Sequence, residues 1–414
     1  RCLQGCSDAE AARQALAESR ELTDFLRQLF AVSDPGRSRG QTVTARELLD
    51  KGAESIRSGL EEQPLARARF MVAIGEIYGK LGLYEPGRQL IEEALPVFEK
   101  EPGAEDATAE TLHALGVLTT NAGDYTQAEE LFRRALALQQ EHLEPGDPAL
   151  ALTRYHLGVL AHRTRRHEEA AEHFEKACSL WSQAPDQGPN TARCLEAFGS
   201  LRVEEGLIAE ADRLYRQALE VRIAAFGEDH PHVAASLEGL CRLHLGQSDP
   251  TTAEPFCLGS LELRRRLLGD RHVDVGASLE TLGRLRQMQE RFPEAEAAFL
   301  EALRIGEESL GSDHPWIARR LISLGWLYWQ EGRYEEALAT YSRSLDIRQR
   351  QLGAEDRSTS IALVGMGISK WKLGDFEAAE SLLRRARDLY ERYFGKKSRE
   401  VSWASWPLAG VYLD

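Results

Sequence analysis

The sequence of 414 residues lacks an excess of basic side chains, since 51 lysines and arginines stand against 66 aspartates and glutamates, a net charge of −15. Nucleic acids and anionic membrane surfaces are bound by basic faces, so neither is expected as a partner. No apolar run approaches the ~20 residues of a membrane span, which predicts no membrane insertion by this segment. Residue 1 is Arg rather than Met. We therefore expect a fragment or processed product, whose missing leader leaves its localisation unknown.

Motifs of catalysis and metal binding are also absent. The sequence contains no GxxxxGK[ST] phosphate loop, no HExxH helix, no GxSxG nucleophile turn and no CxxC pair. Four histidines do cluster, but their spacing distributes them over two predicted helices and a turn: His156, His162, His167 and His173. We therefore expect no enzyme, no metal site and no cofactor in this chain.

What the sequence does contain is an internal repeat. Taking the small residue of each unit as an anchor, successive anchors are 41 or 42 residues apart. The anchors are Gly75, Gly116, Gly158, Gly199, Cys241, Gly283, Gly325, Gly367 and Ala409. A constant period of this length is the signature of an array of supersecondary units that bury their apolar faces against their neighbours.

Each anchor is followed by the same pattern of small and large residues. Small residues recur 12 and 19 positions on, with a mostly large apolar residue between them at 16. The residues at 16 are Ile91, Phe132, Phe174, Tyr215, Cys257, Phe299, Tyr341 and Leu383. Offsets of 12, 16 and 19 share one helix face. The pattern predicts two antiparallel helices that approach closely at small residues, with the large side chain filling the space beside them.

This pattern resembles the tetratricopeptide repeat, in the long variety of about 42 residues found in kinesin light chains. The connectors Phe226–Pro231 and Leu310–Pro315 match that variety. In each, Gly ends one helix, Asp or His caps the next and Pro occupies its first turn, so His230 and His314 are expected to be structural. The resemblance implies an all-α fold, a right-handed superhelical solenoid of antiparallel helix pairs.

The repeat divides the chain into four predicted segments. Residues 1–35 form an amphipathic helix and linker, and residues 36–63 form a capping helix that Thr44 and Glu47 begin with a capping box. Residues 64–401 hold eight helix pairs. Residues 402–414 form the first helix of a truncated ninth repeat.

A second resemblance covers about residues 20–95. The stretch FLRQLFAVSDPGRSRGQTVTARELLDKGAESI is similar to the segment that joins kinase and repeats in bacterial eukaryote-like serine/threonine kinases. Kinase motifs themselves are absent. The resemblance implies that a catalytic half stood upstream, in a bacterial protein that is cytoplasmic, or extracytoplasmic if the parent spans a membrane.

Four of the six cysteines form two pairs of equal separation, Cys178 with Cys194 and Cys241 with Cys257, each 16 residues apart. Each pair is symmetric about a turn, so antiparallel helices would bring its members level and a disulfide could form. Alternatively, all four are small buried thiols, with Cys241 and Cys257 replacing the anchor and the large residue. The sequence leaves both interpretations open.

The first helices of such a solenoid line its concave face, where partners bind. Family analogy places three glutamates one repeat apart on this face, namely Glu196, Glu238 and Glu280, with Arg242 and Arg284 four residues after the last two. Solvated i,i+4 ion pairs and a site for a mixed-charge peptide are the alternatives. The asparagines with which kinesin light chains bind cargo peptides are replaced here, which disfavours that role.

Six of the seven tryptophans lie between residues 316 and 406, and five map to the same face. With their apolar and basic neighbours they form a predicted binding cluster: Arg319, Ile322, Trp326, Trp329, Val364, Ile368, Trp371, Trp403 and Trp406. Aromatic residues with arginine are typical of interface hot spots. The alternative is that these tryptophans pack between repeats.

These features predict a non-enzymatic interaction solenoid that binds a protein or peptide, the docking or sensing region of a bacterial serine/threonine kinase signalling protein. The alternatives are a small-molecule-sensing module of a signal-transduction ATPase or regulator, and a cargo adaptor like kinesin light chain. The oligomeric state cannot be predicted from the sequence.

Overall fold

The computed structural model describes residues 45–58, 63–353, 355–396 and 398–412, and all regular structure within these ranges is α-helical. The all-α fold predicted from the repeat is thereby confirmed. The helix predicted within residues 1–35, and Thr44 of the predicted capping box, lie outside the described residues. The chain divides into two compact units at Gly206 and Leu207, and each is considered by itself.

In the described part of the first unit there are eight helices. They are α1 (Ala45–Ser58), α2 (Pro64–Lys80), α3 (Tyr84–Lys100), α4 (Glu105–Ala122), α5 (Tyr125–His142), α6 (Pro148–Arg163), α7 (His167–Gln183) and α8 (Gly188–Glu204). Helices α2 and α3, α4 and α5, and α6 and α7 pack closely as pairs. The helix α1 lies within the predicted capping segment and buries Leu49, Ala53 and Ile56 against α2 and α3.

The described residues of the second unit form ten helices. They are α9 (Ile208–Phe226), α10 (Pro231–Gly246), α11 (Pro250–Leu268), α12 (Val273–Met288), α13 (Phe292–Leu310), α14 (Pro315–Gln330), α15 (Tyr334–Leu352), α16 (Thr359–Lys372), α17 (Phe376–Phe394) and α18 (Arg399–Val411). Four pairs follow one another from α10 to α17, and α18 packs against α17. Helix α18 begins three residues before the predicted boundary, because the Ser398 hydroxyl caps it by accepting from Val401 N–H at 3.3 Å.

Glycine at the anchor position lets a large side chain lie directly on the first helix. A Cβ atom added to Gly283 would be 2.6 Å from the Phe299 ring, and one added to Gly116 would be 2.7 Å from the Phe132 ring. Both rings are fully buried. The expected packing of the residue at offset 16 on the anchor is therefore present.

The connectors are built as their sequence predicts. Nδ1 of His230 accepts the backbone N–H of His232 at 3.2 Å, and Nδ1 of His314 accepts that of Trp316 at 3.1 Å. Gly227, which ends the preceding helix, has a φ of 80°, a conformation that glycine adopts without steric penalty. These histidines are helix caps, as the sequence indicated.

Both cysteine pairs are joined by disulfide bonds in the structure. The Cα atoms of Cys178 and Cys194 are 5.5 Å apart, and those of Cys241 and Cys257 are 5.1 Å apart. All four side chains are buried. The bond between Cys241 and Cys257 joins α10 to α11. Helix α11 contains Pro250 and Pro255 within its first two turns.

Replacing Gly283 with alanine should lower the free energy of unfolding by roughly 1–3 kcal/mol, because the added methyl group overlaps a buried ring that has no room to move. Gly246→Ala is the matched control, since nothing lies within 4 Å of its added Cβ. That variant should be unchanged or gain up to about 1 kcal/mol. Urea denaturation followed by circular dichroism measures both, and equal losses would contradict the packing.

Intact-mass measurement of alkylated protein tests the disulfide bonds. Denatured but unreduced protein should leave all four cysteines unmodified by iodoacetamide, and reduction should make them reactive. Because each bond closes a loop of 16 residues, removing one by a Cys→Ser pair should cost about 3 kcal/mol. Alkylation of the four residues without reductant would show that they are free thiols.

Candidate functional site

The fourteen residues predicted to line the inner face differ widely in exposure. Six are exposed: Arg242, Arg284, Arg319, Trp326, Trp403 and Trp406. Four are half-buried: Glu196, Ile322, Trp329 and Trp371. The remaining four are buried: Glu238, Glu280, Val364 and Ile368. The structure therefore divides the predicted set into a surface part and a packing part.

The expectation that Val364 and Ile368 face solvent is wrong. They are 1% and 6% exposed and belong to an apolar core formed with residues of α17 and α18, including Leu383 and Leu408. The neighbouring helices cover this part of α16 more deeply than its place in the repeat suggested. Neither side chain can contact a partner in this arrangement.

The Glu238 carboxylate is buried and held by donors from the following repeat and from the second helix of its own repeat. It accepts hydrogen bonds from the hydroxyl groups of Thr281 and, at 3.4 Å, Ser278. Ser260 Oγ donates to it at 3.3 Å, and Arg264 Nη1 lies 3.7 Å from its Oε2. Several donors of this kind offset the loss of hydration that burial imposes on a carboxylate.

Glu280 repeats this arrangement one unit later. Its Oε2 is 3.1 Å from Nε of Arg320, and Ser323 Oγ donates to its Oε1 at 3.3 Å. The Arg320 guanidinium also stacks on Trp316, 3.5 Å from the ring centroid. Burial lowers the pKa of Arg320 to about 10, partly opposed by the attraction of Glu280. Arg320 therefore remains protonated at neutral pH.

The predicted i,i+4 pairs of Glu238 with Arg242 and of Glu280 with Arg284 do not form. Both carboxylates turn instead towards the donors just described, so the arginines are left on the surface. Within the described part of the chain, no carboxylate lies at ion-pair distance from Arg242, Arg284 or Arg319. Glu238 and Glu280 are consequently structural residues, and the arginines four residues after them are exposed.

These side chains surround a pocket of about 200 Å³ in the second unit. We name it the arginine pocket. It is lined by Arg242, Arg264, Arg284, Arg319 and Arg320, by Glu238 and Glu280, and by Ala235, Ala277 and Thr281. Helices α10, α12 and α14 supply nine of these residues and α11 supplies Arg264. Five cationic groups against two anionic ones make it basic, although the chain as a whole is acidic.

Sequence reasoning missed Arg264, which lies on the second helix of its repeat. A signal was present, because arginine recurs at the same repeat position in Arg222 and Arg348. Nη1 of Arg264 donates to Ser278 Oγ and Nη1 of Arg222 to Ser236 Oγ, each at 2.6 Å. An arginine spaced at the repeat period thus marks a contact from a second helix to the next first helix.

The tryptophans also divide into two groups. Trp326 and Trp329 stack, with ring centroids 4.9 Å apart and an interplanar angle of 13°. Trp329 is half-buried against the cores on both sides of it, whereas Trp326 is 38% exposed. Trp371 packs beside Gly410 of α18. Of the alternatives, packing describes Trp329 and Trp371, and surface exposure describes Trp326.

The two tryptophans of α18 lie mainly on the surface. Trp406 is 72% exposed and Trp403 is 44% exposed, with the Trp403 ring 6.4 Å from that of Tyr390. Ile322, Trp329 and Trp371 pack against the apolar core to which α18 also contributes. The exposed indole groups of α18 therefore belong to a helix that is anchored in that core. Flat, rigid aromatic groups bind partners with little loss of conformational entropy.

In the first unit, His113 and His156 form an aromatic cluster with Phe132, with the two imidazole rings 4.9 Å apart. Nδ1 of His113 is 3.1 Å from Thr153 Oγ1. Burial lowers the pKa of His113 to about 4 and that of His156 to about 3. Both imidazoles are therefore neutral at pH 7 and serve packing.

The residues that the structure describes include no cluster of three or more His, Cys, Asp or Glu side chains that could hold a metal ion.

None of the described helices has the length and apolar character needed to cross a membrane. Within each unit the described residues form consecutive helix pairs, and those of the second unit expose arginine and tryptophan side chains. This architecture is that of a helical-repeat scaffold suited to protein–protein interaction.

The sequence profile of the tetratricopeptide repeat matches residues 66–141, 117–183, 148–224, 232–308 and 285–350, and a second profile of the same repeat matches residues 362–400. The chain therefore belongs to the tetratricopeptide repeat family.

Two curated relatives share part of the sequence of this chain. The chain is 27% identical to Protein KINESIN LIGHT CHAIN-RELATED 3 of Arabidopsis thaliana over 176 residues, which are 42% of this chain and 27% of that protein. It is 31% identical to histone-binding protein N1/N2 of Xenopus laevis over 100 residues, 24% of this chain and 17% of that protein. The match thus spans less than a third of either relative. The first supports the predicted kinesin-light-chain-like type of repeat.

Among solved structures, the apo form of the quorum sensor NprR from B. thuringiensis resembles the chain with a TM-score of 0.58 at 13% sequence identity. The similarity covers 90% of this chain and 98% of that one. At this identity the likeness establishes the fold alone.

Proposed function

We propose that this chain is an interaction scaffold that binds a partner peptide along the inner helices of its second unit. The observation that carries the proposal is on α14, where Arg319 and Trp326 are both exposed. They are seven residues apart, so they lie on one helix face about 10 Å apart along the axis. An extended peptide covers that distance with about three residues.

The surroundings of α14 favour a peptide over a small molecule. The arginine pocket has a volume of about 200 Å³, below the roughly 300–1,000 Å³ of pockets that enclose whole small ligands. The side chains of Arg242 and Arg284, which line this pocket, are also exposed to solvent. A short stretch of polypeptide would place one side chain in this pocket and another against Trp326.

A cargo-adaptor role is the second candidate, supported by the similarity to a kinesin light chain-related protein. The inner-face positions that carry asparagine in kinesin light chains read His113-Ala114, Glu196-Ala197 and Glu280-Thr281 here. The Glu280 carboxylate already forms an ion pair with the Arg320 guanidinium. The chain would therefore have to recognise cargo by other residues, such as the exposed arginines.

The parent protein, in this proposal, is a bacterial serine/threonine kinase whose repeats dock a substrate or regulator. Support comes from the stretch FLRQLFAVSDPGRSRGQTVTARELLDKGAESI, which is similar to the kinase-to-repeat segment of such proteins. The docking role also agrees with a chain that carries no catalytic motif of its own.

Sequencing the gene upstream of the codon for Arg1 tests the kinase assignment. We expect a reading frame that encodes a glycine-rich phosphate loop, an HRD motif and a DFG motif. A nucleotide-binding ATPase domain in that place would favour the sensor-module alternative, and a long coiled coil would favour the cargo adaptor.

Trp326→Ala should weaken binding of peptides selected from a displayed random library by about tenfold or more, because an exposed aromatic anchor is lost. Its melting temperature should stay close to that of the wild type. Trp329→Ala should instead lower the free energy of unfolding by roughly 2 kcal/mol, about half the value for a fully buried tryptophan. Fluorescence anisotropy and thermal denaturation measure the two effects.

Phe394→Ala is the matched control, because Phe394 lies on the second helix α17 and is 42% exposed. Its loss should leave peptide binding unchanged. Selected peptides that bind wild type and Trp326→Ala equally well would argue against a binding surface on α14.

A further inference from the structure

The arginine pocket holds more positive charge than its own carboxylates neutralise. Glu238 lies near Arg264, and Glu280 contacts Arg320. Arg242, Arg284 and Arg319 have no carboxylate at ion-pair distance in the part of the chain that the structure describes. Three guanidinium groups thus converge on one pocket with their charge uncompensated.

Such convergence opposes folding unless an anion occupies the pocket. Like charges repel, and the partly buried position of the pocket weakens solvent screening. One member shows this repulsion as a minor effect, because burial chiefly, and the charge of Arg319 to a smaller extent, lower the pKa of Arg320 against the attraction of Glu280. Arginines that had only a surface role would be free to separate into solvent, whereas these line a common concavity.

Glu238 and Glu280 help to fix the side chains at the inner wall of the pocket. Each is fixed by hydrogen bonds from serine or threonine hydroxyls, and each lies close to an arginine, Arg264 or Arg320. Arg320 is further positioned by the Trp316 ring. The inner wall of the pocket is therefore rigid, and the three exposed arginines form its mouth.

Size and charge together select the ligand. A volume of about 200 Å³ accommodates a compact polar group but not a whole metabolite of drug size. A carboxylate would neutralise one of the three uncompensated charges, whereas a phosphate monoester carries a charge of about −1.5 to −2 at pH 7 and three acceptor oxygens. Guanidinium groups bind such oxygens in bidentate fashion.

We propose that the arginine pocket binds a phosphate monoester group, presented by a phosphorylated side chain of the partner peptide. This inference rests on the proposed function, since it names the chemical group that the same surface recognises. The spacing of Arg319 and Trp326 adds that an apolar side chain lies about three positions from the phosphorylated residue along an extended peptide.

Isothermal titration calorimetry with a defined peptide tests the inference on the full chain. The probe is Ala-Ala-phosphoserine-Ala-Ala-Phe-Ala, and the same peptide with unmodified serine is its control. Inorganic phosphate is titrated separately to distinguish a peptide-borne phosphate from a free one. We expect the phosphopeptide to bind at least about tenfold more tightly than the serine peptide, because charge-assisted bonds to arginine are lost without the phosphate.

The variants Arg319→Gln and Arg284→Gln should each weaken phosphopeptide binding by about tenfold. Both residues are exposed and unpaired, so folding should be preserved. At low ionic strength without phosphate, each variant should melt at the same temperature as the wild type or higher, because repulsion is relieved. Arg271→Gln is the charge-matched control, since Arg271 is exposed but lies outside the pocket, and it should bind like the wild type.

The outcomes separate this inference from the proposed function. Equal affinity for the phosphorylated and unphosphorylated peptides would overturn the phosphate site, and the scaffold proposal would stand if that shared affinity fell in Trp326→Ala. Inorganic phosphate that binds as tightly as the phosphopeptide, with the same dependence on Arg319, would support the site but assign it to free phosphate. Losses of equal size in Arg271→Gln would show non-specific charge attraction and overturn it.

Discussion

The close approach of two helices at one small residue per repeat is the constraint on which the rest of the structure depends. At the four anchors Gly116, Gly158, Gly283 and Gly325, the aromatic ring sixteen residues later lies against the first helix, with no space for a Cβ between them. Because the period is nearly constant, corresponding residues of neighbouring first helices then face the same surface, and α10, α12 and α14 can build one pocket.

Buried charge connects the repeats of the second unit in addition to apolar packing. Glu238 on α10 is bound by Thr281 and Ser278 of α12, and Glu280 on α12 by Arg320 of α14. Each carboxylate therefore draws donors from the next repeat, and Glu238 has Ser260 and Arg264 of its own repeat as well. Removing Arg320 would leave the Glu280 carboxylate as an unpaired buried charge. The same network explains why Arg242 and Arg284 are free, since the glutamates four residues before them are already satisfied.

Features that are local to one repeat could be predicted from the sequence, whereas features that depend on contacts with other helices could not. The anchors, the aromatic residues that cover them and the caps His230 and His314 follow from spacing and were predicted. The burial of Val364 and Ile368 was not, because periodicity identifies a helix face but not how far α17 and α18 cover it. Glu238 was placed on the correct helix with the wrong partner, since its donors lie on α11 and α12 and the spacing of residues within α10 does not reveal them.

The net charge of the whole chain likewise differs from the local arrangement of charges in the arginine pocket. A chain with a charge of −15 would be expected to repel anions at long range, but salt screens that repulsion beyond roughly 8–10 Å. At contact distance a ligand instead meets the guanidinium groups that line the arginine pocket. Long-range repulsion slows the encounter with an anion but leaves a single anionic group free to bind at the pocket. For the proposed phosphate ligand, the two effects together favour an isolated phosphate in a segment that carries little other negative charge.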